Sequence, residues 1–152
     1  MKISMNLFRC GTGNNKKVLL DSSKGIDRIT LQAKYGYTGL PTITKNANGT
    51  YSLYYSSGAG ASDSLVDLEI PLGYRKLIIV ATKEGNYCNL YKNVQSYNPQ
   101  RVGGTQVSTN WGSETVVLEY TTEHICFVLG GWYESSTSNW ARLNISYVAL
   151  EK

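Results

Sequence analysis

The sequence predicts an all-β fold: an antiparallel β-sandwich, jelly-roll-like, with about eight to ten strands and no substantial helix. The 152 residues include 12 Tyr and 15 Gly, a composition typical of strands joined by turns. Short segments in which apolar and polar residues alternate recur at regular spacing between turn signals, and no helical apolar pattern extends beyond about two turns. With no internal repeat and no linker, this length predicts a single domain over residues 1–152.

The central element of this prediction is the apolar run at residues 77–81. It holds five consecutive apolar residues, follows Gly73, and ends at a turn-like cluster at 83–86. A short apolar run between turn signals predicts a strand buried on both faces. We expect it in the middle of a sheet, with residues 87–92 as its hairpin partner.

Six strand candidates precede this run, at residues 3–8, 17–20, 28–33, 42–44, 50–55 and 65–70. The fourth and fifth flank Asn48 and Gly49, a pair that strongly favours a tight hairpin turn. In the fifth segment Tyr51, Leu53 and Tyr55 share one face, because successive side chains of a strand point to opposite sides.

Residues 65–70 alternate between apolar and acidic side chains. This pattern predicts that Asp67 and Glu69 lie on a solvated face, opposite the apolar residues at 66, 68 and 70. The strand candidates that follow residues 87–92 are 105–109, 115–121, 125–129 and 140–150. Large polar loops are expected at residues 56–64 and 130–139.

Charge and hydropathy exclude several classes of protein. The net charge is +4 without a dense Lys/Arg cluster, so we expect no nucleic-acid binding. No window approaches the length of a membrane span, and residues 1–9 contain no continuous apolar segment of a signal peptide. We therefore expect neither membrane insertion nor secretion.

The residues that commonly carry out catalysis or bind metals are sparse. Three widely spaced cysteines favour a reducing compartment over a disulfide framework, and Cys88 and Cys126 are expected to be buried. His124 is the single histidine, too few for a zinc site. A hydrolase using Glu123 or His124 is the least favoured hypothesis. We expect a protein that is not an enzyme. We also expect that it needs no metal or cofactor.

Aromatic residues in predicted loops are the candidates for ligand contact. They lie in or beside segments rich in Gly, Asn and Ser, and they are Trp111, Trp132, Tyr133, Trp140, Tyr35 and Tyr37. Such side chains can form platforms for sugar rings or for another protein. The alternative is that each indole packs its own loop onto the end of the sandwich.

The order of segments from residue 18 onward resembles a C-terminal β-sandwich module of bacteriophage tail-fibre, baseplate and other virion proteins. The matching features are residues 17–21, the Gly-Tyr-x-x-Leu lead into the apolar run within 72–80, and the Arg-containing strand at 142–150. The resemblance implies a jelly-roll-like module, usually trimeric or otherwise multimeric, that builds the particle or contacts the host surface. It supplies no catalytic residues, and this chain differs from the usual case in lacking a fibrous shaft.

The first hypothesis is therefore that the chain is a structural protein of a virion and is made in the host cytoplasm. It would belong to the capsid decoration, the head fibre, the tail or the baseplate. Its expected partners are copies of itself, with a trimer favoured, other virion proteins, and a host-surface glycan in a receptor-binding role. The alternative is a carbohydrate-binding module with an aromatic platform in its loops. The two hypotheses overlap, because a receptor-binding virion protein can bind glycans.

Overall fold

The structure is a computed structural model that describes residues 15–58, 62–92, 97–98, 101–102, 105–107, 109–120, 123–131 and 139–152. Its strands are β1 (Lys16–Asp21), β2 (Ile26–Asp27), β3 (Thr30–Gly36), β4 (Thr42–Lys45), β5 (Tyr51–Gly58), β6 (Ser62–Glu69), β7 (Lys76–Gly85), β8 (Tyr87–Lys92), β9 (Tyr97–Asn98), β10 (Arg101–Val102), β11 (Thr105–Val107), β12 (Ser113–Val117), β13 (His124–Gly131) and β14 (Asn139–Glu151). A single 3-10 turn at Ser22–Lys24 is the one helical element among the described residues. The all-β prediction is confirmed; the candidate strand at 3–8 lies outside the described residues.

The strands form two antiparallel sheets. The first has the order β12-β7-β14, and the far side of β14 then pairs with β5 along its first half and with β1 along its second half. β4 and β2 complete that side, next to β5 and β1 respectively. The second sheet has the order β11-β8-β13-β6-β3, and β9 and β10 form a separate short pair.

The hydrophobic core lies between the two sheets. Leu53, Ile79 and Leu143 reach it from the first sheet, and Leu68 and Phe127 reach it from the second. All five side chains are fully buried. Burying a side chain of this size stabilises the fold by about 1.5–3 kcal/mol, so the inward rows dominate the stability of the sandwich.

The strands buried on both faces are β13 and, over residues 64–68, β6, and not, as the sequence predicted, the run at 77–81. In β7 the side chains of Leu77, Ile79 and Ala81 are buried, whereas Ile78 and Val80 are half-buried on the outer face. Residues 125–130 of β13 are all buried. The reason is that the outer face of β13 is covered by tyrosines of its own sheet, at positions 35, 87 and 91.

β8 is not the hairpin partner of β7, which corrects a second expectation. Gly85 has a positive φ of 78°, and the Asn86 amide donates to the Trp140 carbonyl oxygen at 2.8 Å. The chain then crosses to the second sheet, where β8 pairs with β11 and β13. A turn-like cluster marks a reversal of the chain, but it does not decide whether the next strand stays in the same sheet.

The expectation that Asp67 lies on a solvated face was wrong, because its carboxylate is buried. Only 4% of the residue is exposed, and its Oδ2 lies 2.9 Å from Nδ1 of His124. β6 runs between β3 and β13, so its outer face is flanked on both sides. Glu69, nearer the end of the strand, is exposed as expected.

Both described cysteines are buried and unpaired, as the sequence predicted. No helix among the described residues is long and apolar enough to cross a membrane.

Candidate functional site

The outer face of the first sheet carries a polar and aromatic surface on four neighbouring strands, β4, β5, β14 and β7. Strand register places four side chains in one row across the sheet: Thr42, Tyr54, Arg142 and Glu84. A second row, two residues further along each strand, holds Thr44, Ser52, Asn144 and Thr82. Because the side-chain period of a strand is two, every member of these rows points away from the core.

The β4–β5 hairpin aligns the two outer strands of this surface. Gly49 has a φ of 84°, the left-handed conformation that glycine adopts without strain. The Asn46 amide donates to the Thr50 carbonyl oxygen at 2.8 Å, and Oδ1 of Asn48 accepts from the Thr50 amide at 3.1 Å. The hairpin predicted from Asn48 and Gly49 is confirmed, and its register brings Thr42 beside Tyr54.

The first row, with Trp140 next to it on β14, forms an aromatic and cationic cluster. Cζ of Arg142 lies 5.1 Å from the ring centroid of Tyr54 and 5.8 Å from that of Trp140. The two rings have centroids 6.4 Å apart and planes inclined by 37°. On its other side, Nη1 of Arg142 donates to Oε2 of Glu84 at 3.4 Å. The guanidinium is thus held between two aromatic rings and a carboxylate.

The second row is a chain of hydrogen bonds between side chains. Nδ2 of Asn46 donates to Oγ of Ser52 at 3.0 Å, and that hydroxyl donates to Oδ1 of Asn144 at 2.6 Å. Nδ2 of Asn144 then donates to Oε2 of Glu84 at 3.3 Å. The chain of bonds fixes the orientation of each amide, so the polar groups of this row are preorganised.

These rows form the floor of an open groove that runs parallel to β5 and β14. Its middle section has a volume of about 490 Å³ over both rows. A section of about 390 Å³ continues past Asn46, Asn48 and Ser146, and a smaller one of about 130 Å³ lies beside Thr38 and Leu40 at the opposite end. The six residue steps of β5 along the groove correspond to roughly 20 Å, enough for several sugar rings in a row.

A β-bulge ends the polar part of the groove. The register of β14 with β7 shifts between Ile145 and Tyr147, and Oγ of Ser146 donates to the Val80 carbonyl oxygen at 3.2 Å. Beyond this point β14 pairs with β1 instead of β5, and the half-buried Ile78 lies on the outer face beside it. Bulges commonly re-aim side chains, and here one changes which residues of β14 point outward.

The aromatic residues that the sequence singled out lie in different parts of the structure. Trp140 lies beside the groove on the outer face of the first sheet, next to Arg142 and Tyr54, and Tyr37 is 67% exposed and precedes Thr38, which lines the end section. Tyr35 packs on the outer face of the second sheet. Trp132 and Tyr133 lie outside the described residues.

Trp111 closes one end of the sandwich. Its Nε1 donates to the Cys88 carbonyl oxygen at 2.7 Å, and its ring centroid lies 6.1 Å from that of Phe127. The indole is only partly exposed and contacts the core. These contacts describe a packing role; a role in ligand contact stays a prediction.

The candidate catalytic residues do not assemble into a reactive site. His124 pairs with Asp67 on the outer face of the second sheet, while Glu123 is exposed and lies beside a separate depression with Lys17 and Arg28. Burial raises the pKa of the Cys126 thiol to about 12, which disfavours the nucleophilic thiolate. In the described part of the chain, no cluster of His, Cys, Asp and Glu could hold a metal ion.

Sequence reasoning missed most of the groove, in particular Tyr54, Arg142, Asn144 and Glu84. A signal was present in the last strand, where Trp140, Arg142, Asn144 and Ser146 alternate with apolar residues. The same alternation in β5 puts Ser52 and Tyr54 opposite the buried face. Attention to the outward side chains of strands, in addition to loops, would have found these residues.

Comparisons with known proteins relate the fold to carbohydrate-binding modules. A variant of the family 29 module CBM29-2 superposes with a TM-score of 0.55 at 14% identity, covering 90% of this chain and 91% of that one. Another CBM29-2 variant, complexed with cellulohexaose, has a TM-score of 0.52 at 14% identity and covers 89% of each chain. The low-affinity xylan-binding module CBM86 from the xylanolytic gut symbiont Roseburia intestinalis has a TM-score of 0.53 at 11% identity, covering 90% of this chain and 94% of that one.

No protein-family model and no curated protein matches the chain. At these identities the structural likeness establishes the fold: two antiparallel sheets packed as a jelly-roll-like sandwich.

Proposed function

We propose that the protein is a carbohydrate-binding module that holds a chain of sugar residues in the groove on the first sheet. The observation that supports the proposal is that two aromatic rings, Tyr54 and Trp140, lie on the same sheet face as hydrogen-bonded polar side chains, including Ser52 and Asn144. A sugar ring presents apolar C–H faces and hydroxyl edges. Aromatic rings fit the faces, and oriented amides and hydroxyls fit the edges.

The shape of the groove supports the same proposal. It is open, continuous over three sections, and lined mostly by Thr, Ser, Asn and Tyr side chains. Such a surface offers many hydrogen-bond donors and acceptors and little enclosed apolar volume. It suits an extended polar chain better than a compact apolar molecule.

The fold adds independent support, because the solved structures named above are carbohydrate-binding modules. They favour the second hypothesis over the first: none of those named is a virion protein. The virion role, the host-cytoplasm origin and the trimer stay predictions that no comparison tests. A glycan-binding groove is compatible with them but does not require them.

The test compares two groove variants with a matched control on a panel of soluble polysaccharides. Tyr54→Ala and Trp140→Ala should each weaken glycan binding by roughly tenfold or more, as expected for an aromatic residue at a binding hot spot. Tyr147→Ala serves as the control, because Tyr147 is a half-buried tyrosine on the same strand beyond the bulge. Titration calorimetry measures affinity, and thermal unfolding shows that each variant is folded.

Two results would overturn the proposal. One is that the wild-type protein binds no polysaccharide of a panel that includes xylan, mannan and β-glucans. The other is that the double variant Tyr54→Ala/Trp140→Ala, shown to be folded, binds as tightly as the wild type.

A further inference from the structure

We infer that Glu84 is a specificity-determining residue, which makes the groove selective for neutral glycans by occupying Arg142 and thereby excluding chains that carry carboxylate or sulfate groups. The inference rests on the proposed function and adds the class of ligand and the residue that selects it.

The first observation that supports a selective role for Glu84 concerns the charges in the groove. Of the described residues that line its three sections, only Arg142 and Glu84 carry a charge, and these two charges cancel. An unpaired arginine in this position would be the natural partner of an anionic sugar, because its planar fork of donors matches a carboxylate or a sulfate. In this protein a carboxylate of the chain itself, that of Glu84, already accepts from Nη1 of that fork.

The second observation concerns strand register, which places Arg142 and Glu84 side by side and so makes their ion pair a consequence of the fold. Arg142 and Glu84 are direct neighbours on β14 and β7, which form the longest pairing of the first sheet. Oε2 of Glu84 accepts from Arg142 at 3.4 Å and from Asn144 at 3.3 Å. The carboxylate is therefore held by two donors from the same neighbouring strand.

The environment of the guanidinium is the third observation. Arg142 lies over the rings of Tyr54 and Trp140, so its plane is restricted from turning away from Glu84. A ligand anion that approached Arg142 would also approach the Glu84 carboxylate, whose side chain is 51% exposed in the groove. Repulsion between the two negative groups penalises acidic chains, whereas sugar hydroxyls meet no such penalty.

The experiment compares neutral and acidic polysaccharides on the wild type, Glu84→Gln and a matched control. The neutral probes are xylan, mannan and a β-glucan, and the acidic probes are polygalacturonate and heparin. Glutamine keeps the shape and an acceptor oxygen for Arg142 and Asn144, so E84Q removes the charge with little change in packing. Glu119→Gln makes the same change in net charge at an exposed carboxylate that pairs with Arg75.

The wild type should bind the neutral probes at least tenfold more tightly than the acidic ones. E84Q should gain about tenfold in affinity for the acidic probes, and that gain should shrink as salt rises from about 50 mM to about 500 mM. E119Q should gain much less. The double variant Glu84→Gln/Arg142→Gln should lose the gain, because the freed guanidinium is its source.

The inference is overturned, with the proposed function intact, if the wild type binds acidic chains as tightly as neutral ones. It is also overturned if E84Q gains no more acidic binding than E119Q. If the wild type binds no chain of either class, the proposed function falls and the inference falls with it.

Discussion

Arg142 and Tyr54 stand directly opposite each other on neighbouring strands, with the guanidinium carbon 5.1 Å from the centre of the ring. The two residues are far apart in the sequence, and only the β14–β5 pairing brings them together. A cation over a ring face contributes about 0.5–1 kcal/mol at exposed sites. The contact therefore orients both side chains more than it stabilises the fold.

Arg142→Lys should weaken glycan binding by several-fold and leave stability nearly unchanged. Lysine keeps the positive charge but lacks the planar fork, so it cannot lie over two rings and bond Glu84 in the same way. Titration calorimetry against a bound neutral polysaccharide measures the effect. Arg75→Lys, at an exposed arginine that pairs with Glu119, is the control. Unchanged affinity for Arg142→Lys would contradict a role for the planar guanidinium in binding.

Ser52→Ala should lower glycan affinity by several-fold while the melting temperature shifts little. The hydroxyl accepts from Asn46 and donates to Asn144, so its loss frees the Asn144 amide to rotate. Because the site is partly exposed, water satisfies the released groups and the stability cost stays near 0.5–1 kcal/mol. Calorimetry and thermal unfolding separate the two effects. Ser113→Ala, at the exposed first residue of β12, should change neither quantity. A large loss of stability with unaltered binding would contradict the orienting role.

Trp111→Phe should destabilise the fold by about 1–2 kcal/mol and leave glycan binding intact. Phenylalanine keeps most of the contact with Phe127 but removes the Nε1 donor, which leaves the Cys88 carbonyl oxygen without that bond. Urea unfolding measures the free energy, and calorimetry measures binding. If binding falls by tenfold in the folded variant, Trp111 contacts the ligand, as the sequence predicted for this loop aromatic.

The two buried thiols should be protected from alkylation in the folded protein and should make stability fall at high pH. Burial raises the pKa of Cys88 and of Cys126 to about 12 from the ordinary 9.0. The folded state thus binds more protons than the unfolded state between these values. The contribution of each protonated thiol to the free energy of unfolding is fully present below pH 9 and is lost as the pH rises toward 12.

At pH 10 this loss amounts to roughly 1 kcal/mol for each thiol relative to pH 8. Urea unfolding at the two pH values measures it, and the loss between them should be smaller in Cys88→Ala than in the wild type. Mass spectrometry after treatment with iodoacetamide at pH 8 should find both positions modified only in unfolded protein. Rapid labelling of Cys126 in the native state would contradict the burial of its thiol.

Much of the fold follows from local patterns in the sequence. Alternation in residues 65–70 and 140–150 predicts strands, Asn48 and Gly49 predict a hairpin, and a small apolar side chain such as Cys88 in a strand predicts burial. These patterns act over a few residues, so they survive without knowledge of the partner strands. They place the inward rows of β5 and β6 correctly, as the burial of Leu53 and Leu68 shows. In β14 the bulge changes the inward row after Ile145, so Val148 and Leu150 reach the core where simple alternation predicts Tyr147 and Ala149.

The tertiary structure alone decides what covers each outer face. Asp67 and Val80 both sit on outer faces, yet one is buried and the other half-buried, because their flanking strands differ. The same holds for the groove: Tyr54, Arg142 and Glu84 belong to three strands, and register makes them neighbours. A sequence pattern determines which side of a strand is apolar. Which strands lie beside it depends on pairings over long sequence distances, and those pairings create the surface that we propose binds glycans.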